Sequence, residues 1–198
     1  MAVHQLTIDD ETYAEVRDHR LLGFLLFLIS DVIIFSSFIF TYVYLRNTVM
    51  KWPPPGIEPA ALFVAAVNSI VLFGSGATMH YAIESFKHGT RRRFVGFMVA
   101  TIVLGSLFLS GQAFEYFNLF KAGTVWPGSI YGASFFTLTG LHGFHVLIGV
   151  VFLIVVLVQT LRGTYTRHRY FGLTAATLYW HFVDVIWVAL FSLLYVWK

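Results

Sequence analysis

Five long apolar runs dominate this sequence, and each is long enough to cross a lipid bilayer as a helix. A spanning helix needs about 20 mostly apolar residues. The runs cover residues 21–45, 60–83, 94–117, 130–161 and 171–197. They are continuous rather than alternating in polarity, which favours helices over a membrane β-barrel. The sequence therefore predicts an all-α membrane protein, a bundle of five transmembrane helices.

The composition excludes a soluble fold. Charged residues make up 12% of the 198 residues, whereas a soluble domain has about 25%. Cysteine is absent, which excludes disulfide frameworks, zinc knuckles, iron–sulfur clusters and thiol catalysis. The formal net charge of +3 indicates no nucleic-acid partner, because basic residues beside membrane spans act as topology signals.

Two regions follow from this pattern: a polar N-terminal tail over residues 1–20 and one helical domain over residues 21–198. The tail is mixed in charge, unlike a cleavable secretory signal, so we expect the first apolar run to be retained as a helix. The linkers between the runs are short and polar or rich in Pro and Gly. None of them is long enough to hold a further domain.

Basic residues are distributed unequally between the two sides of the predicted bundle. Nine lie on the side of the N-terminal tail and of the linkers 87–93 and 162–170, and four lie on the other side. Cytoplasmic loops of membrane proteins carry the excess of Lys and Arg. We therefore expect the N-terminus in the cytoplasm and the C-terminus outside.

Ionisable side chains are also predicted deep in the membrane, where an unpaired polar group is costly. At about 1.5 Å per residue, five of them fall in one layer near the midplane. These are Asp31, His142, His145, His181 and Asp184. His142 and His145 are three residues apart, as are His181 and Asp184, so each pair is expected to share a helix face.

More than one function is compatible with this layer. Imidazole is a common metal ligand and proton carrier, so the layer could form a metal site or a proton relay. Alternatively, its side chains form hydrogen bonds between the helices. A membrane di-iron enzyme needs more histidines than one HxxH pair and one lone His. A transporter is disfavoured because the predicted helices have no Pro-Gly breaks near the midplane. Glu115 is a further candidate, near the predicted outer end of the third helix.

Two long segments resemble a known family. LYWHFVDVIWVALFSLLYVW (178–197) closely resembles the last helix of subunit III of the haem–copper cytochrome oxidases. YGASFFTLTGLHGFHVLIG (131–149) is similar to the sixth helix of the same family. Three shorter matches follow the expected order: VNSIVLFGSGATMHYA, GQAFEY and RHRYFGLTAA. The resemblance covers nearly the whole chain and matches the short five-helix form, which suits a bacterial protein.

This resemblance implies a non-catalytic subunit of an aerobic terminal oxidase. The implied partners are oxidase subunits I and II, which hold the haem and copper, while this chain holds no cofactor or metal. The implied roles are support of proton uptake, protection of the complex during turnover and binding of phospholipid. Arg162 matches a lipid-headgroup arginine of the family, and Asp184 matches a family aspartate. The implied location is the bacterial inner membrane, as a multi-pass protein, or an internal respiratory membrane.

Two positions depart from the usual cytochrome c oxidase pattern. Asp31 follows Ser30 where that pattern has glutamate, and aspartate is found there in related quinol oxidase subunits. Thr174 replaces an acidic residue before the last helix. GQAFEY and RYFGL resemble the cytochrome c oxidase branch, so cytochrome c is the expected donor to the complex and quinol is the alternative.

Asp31 has no Lys or Arg at its predicted depth. The nearest candidates to share a proton with its carboxyl group are His142 and His145, on another helix at a similar depth. We expect one of them to hydrogen-bond Asp31, with His142 preferred because His145 lies deeper. Whether Asp31 has a proton-related or only a structural role stays open at this point.

Overall fold

The computed structural model describes residues 10–55, 60–121, 123, 129–165 and 170–197. This part of the chain folds into α1 Asp10–Thr48, α2 Leu62–Lys87, α3 Arg91–Lys121, α4 Ile130–Leu161 and α5 Phe171–Phe191. A π-helical turn, Ser192–Val196, continues α5. Five helices are long and apolar enough to cross a membrane, and the described residues contain no strand. The predicted five-helix bundle is confirmed; its orientation stays a prediction.

Most helices extend beyond the apolar runs that predicted them. Only α4 begins and ends at the predicted residues. α1 begins at Asp10, inside the predicted polar tail, whose residues 1–9 lie outside the described part. The difference arises because an apolar run marks the stretch in contact with hydrocarbon, whereas a helix can continue into the headgroup region with its backbone hydrogen bonds intact.

A tight turn makes α2 and α3 an antiparallel hairpin. The His88 amide donates to the Glu84 carbonyl (3.0 Å) and ends α2. Gly89 follows with φ of 72°, a conformation that glycine adopts without steric cost. The Thr90 carbonyl then accepts from the Phe94 amide (3.0 Å) in the first turn of α3. The chain therefore reverses direction within three residues.

Helix α5 lies at the centre of the packing, against α1, α2 and α4. Its Trp180 is fully buried, and the indole Nε1 donates to Ser75 Oγ on α2 (3.0 Å). The ring also lies against Gly105 on α3 and Gly149 on α4, where a Cβ would come within 3.0 Å of it. One indole therefore contacts three other helices, in space that two glycines leave free.

Outward-facing side chains of the bundle are mostly large and apolar. Ile33 on α1, Ile70 on α2 and Val185 on α5 are each more than 60% exposed. Polar groups such as Asn68 and Thr139 are buried inside instead. An apolar exterior around a partly polar interior is the arrangement expected of helices surrounded by lipid.

Candidate functional site

The predicted midplane layer divides into three separate groups in the structure. They are Asp31 with His145, His142 by itself, and His181 with Asp184. Within the described ranges, no cluster of three or more His, Asp or Glu side chains could hold a metal ion. The residues predicted to form one layer are thus divided among several small, separate sites.

Asp31 on α1 faces His145 on α4. His145 Nε2 lies 3.9 Å from Asp31 Oδ1, within ion-pair distance but beyond the range of a direct hydrogen bond. His145 Nδ1 lies 2.8 Å from the Leu141 carbonyl oxygen, which can only accept, so Nδ1 carries a proton. Nε2 is therefore the nitrogen free to share a proton with Asp31. The pair has two possible states: an Asp31 carboxylic acid that faces an unprotonated Nε2, or an Asp31 carboxylate that faces a protonated Nε2. These two states differ only in the position of one proton.

Aromatic side chains enclose this pair. Asp31 is 6% exposed, and its Oδ2 is buried without a hydrogen-bond partner among the described residues. The Phe35 ring lies 5.0 Å from the His145 ring, between centroids. The Tyr179 hydroxyl on α5 donates to the His145 carbonyl (3.2 Å). The pair thus joins α1 to α4, and Tyr179 ties the same point to α5.

His142 does not pair with Asp31, so the preference for it over His145 is wrong. Its ring stacks on Trp187, with centroids 4.8 Å apart, and meets the ring of Phe108 at 5.7 Å. It is 1% exposed, and neither ring nitrogen has a hydrogen-bond partner in the described part of the chain. Three residues advance a helix by about 300°, so His142 and His145 point about 60° apart. That rotation directs His142 toward α5 and His145 toward α1.

His181 and Asp184 share one face of α5, as predicted: His181 Nδ1 lies 3.8 Å from Asp184 Oδ2. The Asp184 carboxyl group lies against the backbone of Gly76 on α2, in the space that a Cβ would fill. Its Oδ1 is buried and has no hydrogen-bond partner among the residues described. These side chains and His80 of α2 line an open groove of about 380 Å³ between the two helices.

Glu115 lies inside the bundle near one end of α3. Its Oε2 accepts from the Tyr195 hydroxyl (2.9 Å) and from the Gln112 side-chain amide (3.4 Å). Glu115 is 5% exposed, and its Oε1 has no hydrogen-bond partner in the described ranges. Because Tyr195 belongs to the π-helical turn after α5, this carboxyl group links α3 to the end of the bundle.

Arg162 follows the last residue of α4, and its side chain is exposed. A groove of about 250 Å³ lies between this end of α4 and the turn joining α2 to α3. Arg91 lines that groove and donates from Nη2 to the Leu161 carbonyl (2.9 Å). Sequence reasoning identified Arg162 but missed Arg91, which is one of three consecutive arginines with no feature to separate it from its neighbours.

Sequence reasoning also missed the aromatic residues that contact the buried polar side chains. Tyr195 bonds Glu115, Trp187 stacks on His142, and Trp187 Nε1 donates to Ser69 Oγ (2.8 Å). An aromatic residue in an apolar run gives no indication of which helix it will meet. The wealth of Trp and Tyr in the last run was the available signal, because these residues usually find a hydrogen-bond partner when buried.

Known proteins are similar to this chain over nearly its whole length. The family model of cytochrome c oxidase subunit III matches residues 3–198. Cytochrome c oxidase subunit 3 of Pelomedusa subrufa is 39% identical over 201 residues, which cover 98% of this chain and 76% of that protein. The corresponding protein of Thermostichus vulcanus is 37% identical over 90% of this chain and 88% of its own length. That of Synechocystis sp. is 36% identical over 90% of this chain and 76% of its own length.

These similarities confirm the resemblance seen in the sequence motifs. The Thermostichus vulcanus protein is matched over most of both chains, which agrees with the short form. The five apolar helices agree with a multi-pass membrane subunit. The chain therefore belongs to the cytochrome c oxidase subunit III family, as a subunit of a terminal oxidase.

Proposed function

We propose that this chain is a non-catalytic subunit of a cytochrome c oxidase, with haem and copper held by subunits I and II. Family membership supports its assembly with other oxidase subunits. The lack of cysteine and the separation of its midplane histidines support a chain without a redox centre of its own. Metal analysis and visible spectra of the isolated chain should be blank. A stoichiometric haem or copper signal would overturn this part of the proposal.

The observation that carries a proton-related role is the pair of Asp31 and His145. The two side chains approach to 3.9 Å on buried faces of two helices, and no Lys or Arg occurs in either apolar run. Such a pair can pass a proton between carboxyl and imidazole while remaining net neutral, and histidine is suited to this near neutral pH. The role is to support proton supply to the catalytic subunit, so that the complex survives repeated turnover.

The decisive experiment compares the purified oxidase with a complex that lacks this chain. Oxygen consumption is followed until activity decays, with reduced cytochrome c and a quinol tested separately as donors. The complex without the chain should start at a similar rate and lose activity after fewer turnovers. An equal lifetime of the two complexes would contradict the supporting role.

A quinol oxidase is the second candidate complex. The names of the relatives favour cytochrome c as the donor, whereas aspartate after Ser30 favours quinol. The same oxygen measurements separate the two, because only the true donor sustains a rapid rate. The expected location is the bacterial inner membrane or an internal respiratory membrane, with the basic end of the bundle in the cytoplasm.

Phospholipid binding is proposed for the end of α4. Arg162 is exposed there, and Arg91 lies in the neighbouring groove. A guanidinium group binds phosphate through two parallel hydrogen bonds, which favours a lipid headgroup at this position. Phe86, which is partly exposed, lines the same groove and offers an apolar contact to the acyl chains.

A further inference from the structure

We propose that the groove between α2 and α5 is the surface on which a membrane-spanning helix of another oxidase subunit docks. The groove is defined by Gly76, Ala77, His80, Tyr81, His181 and Asp184. The proposal rests on the assignment of the chain as an oxidase subunit and names one face through which it meets a neighbour.

The groove carries imidazoles at a depth where lipid offers no hydrogen bonds. His181 lies ten residues from the start of α5, roughly 15 Å along it, and His80 lies seven residues from the end of α2, roughly 10 Å. Because the hydrocarbon core is about 30 Å thick, the His181 ring is expected deep within it and the His80 ring just inside its inner boundary. His80 is exposed, and 42% of the His181 side chain is exposed. Two imidazoles facing acyl chains would be strongly unfavourable.

Other polar side chains on the outer surface differ from these histidines. The hydroxyls of Ser37, Ser106 and Ser134 each donate to the carbonyl four residues earlier in the same helix, at 2.9, 2.8 and 2.6 Å. Such groups are compatible with lipid because their hydrogen bonds are complete. His80, by contrast, has a ring contact with Tyr81 and no hydrogen bond to any described residue. The groove is therefore a part of the described surface whose imidazoles need polar atoms from outside the chain.

The shape of the groove fits a helix. Ala77 is exposed in the groove, and small residues allow the backbones of membrane helices to approach closely. The imidazoles of His80 and His181 are exposed polar groups of the groove. The expected partner is thus an apolar helix that presents a hydrogen-bonding side chain, such as Ser, Thr, Asn or Gln, at the depth of His181. Acyl chains have no such group, which argues against lipid as the occupant.

Photo-crosslinking in the intact oxidase tests this proposal. The photoreactive residue p-benzoylphenylalanine is introduced in place of Tyr81, an aromatic side chain of the groove that is 57% exposed. The matched control places it at Phe27 on α1, which is 49% exposed and lies at a similar predicted depth on another face. Each complex is purified, irradiated and analysed by gel electrophoresis and mass spectrometry of the adducts.

The Tyr81 position should form an adduct with another oxidase subunit in several-fold higher yield than the Phe27 position. An adduct of Tyr81 with lipid or with a second copy of this chain would overturn the proposal, as would equal yields at both positions. The haem spectrum of the same preparation shows whether the chain is present in an oxidase. Failure of the docking surface is thereby distinguished from failure of the subunit assignment.

Discussion

Replacing Gly105 by alanine should destabilise the bundle where four helices meet around Trp180. The added methyl carbon would lie 2.6 Å from Trp180 Cη2 and 3.2 Å from Val150 Cγ2, whereas carbon atoms pack best at about 3.5–4.0 Å. The indole cannot move aside easily, because Gly149 confines its other edge and Ser75 accepts its hydrogen bond. Overpacking of this kind costs about 1–3 kcal/mol.

Gly96→Ala on the same helix provides the matched control. No atom lies within 4 Å of a Cβ added there, so this variant reports only the gain in helix propensity, about 1 kcal/mol. The difference between the two variants therefore isolates the steric effect at Trp180. A difference of about 1–3 kcal/mol corresponds to roughly 5–150-fold in the unfolding equilibrium constant.

The free energy of unfolding of each variant can be measured by titration with sodium dodecyl sulfate in mixed micelles. The fluorescence of the five tryptophans of the chain reports the transition. Gly105→Ala should unfold at a lower mole fraction of the denaturing detergent, and Gly96→Ala at the same or a higher fraction than the original protein. Equal unfolding free energies for the two variants would refute the view that Trp180 is held rigidly between α3 and α4.

Substitutions at three further positions test the individual polar sites. The Asp31→Asn variant should assemble normally, because an amide still forms hydrogen bonds without a charge. Its oxidase activity should be lost sooner in an oxygen-electrode assay. An unchanged lifetime of the activity would leave Asp31 a structural residue. Arg162→Ala should reduce the phospholipid that co-purifies with the complex, measured as phosphorus per haem, and unchanged lipid would contradict headgroup binding. Glu115→Leu should lower the thermal stability of the complex by about 1–3 kcal/mol, because it leaves the Tyr195 hydroxyl without its acceptor. Glu115→Gln keeps an acceptor and should not lower the stability. Equal melting temperatures of the two variants would exclude a stabilising role for this hydrogen bond.

The number and position of the helices could be predicted from sequence because the bilayer allows few alternatives. Every backbone group at membrane depth needs a hydrogen bond within its own segment, so an uncharged run such as 130–161 has to be helical. The ends were harder to predict wherever a helix passes into a polar environment. α1 begins in the polar sequence near Asp10, where hydropathy no longer separates helix from loop.

Within the polar layer, the shared face of His181 and Asp184 was predicted correctly, whereas the histidine that faces Asp31 was not. Position along a helix gives depth, whereas the choice between His142 and His145 depends on rotation about the axis and on which helices are neighbours. α4 packs against α1 and α5, and the Trp187 ring occupies the face toward which His142 points. Periodicity in one sequence contains no information on that neighbour order.

The buried polar side chains of the bundle include pairs that join two helices by a hydrogen bond and others with atoms that have no partner among the described residues. Indole N–H groups bond serine hydroxyls between helices, as Trp180 does with Ser75 and Trp187 with Ser69. Among the described residues, the buried side-chain atoms without a partner all belong to carboxyl, amide or imidazole groups, in Asp31, Gln112, Glu115, His142 and Asp184. Loose packing would leave hydroxyl and indole groups unpaired as well, since an unmet hydrogen bond is costly for each of them. The unpaired atoms therefore belong mainly to carboxyl and imidazole groups, which are side chains that can take up or release a proton.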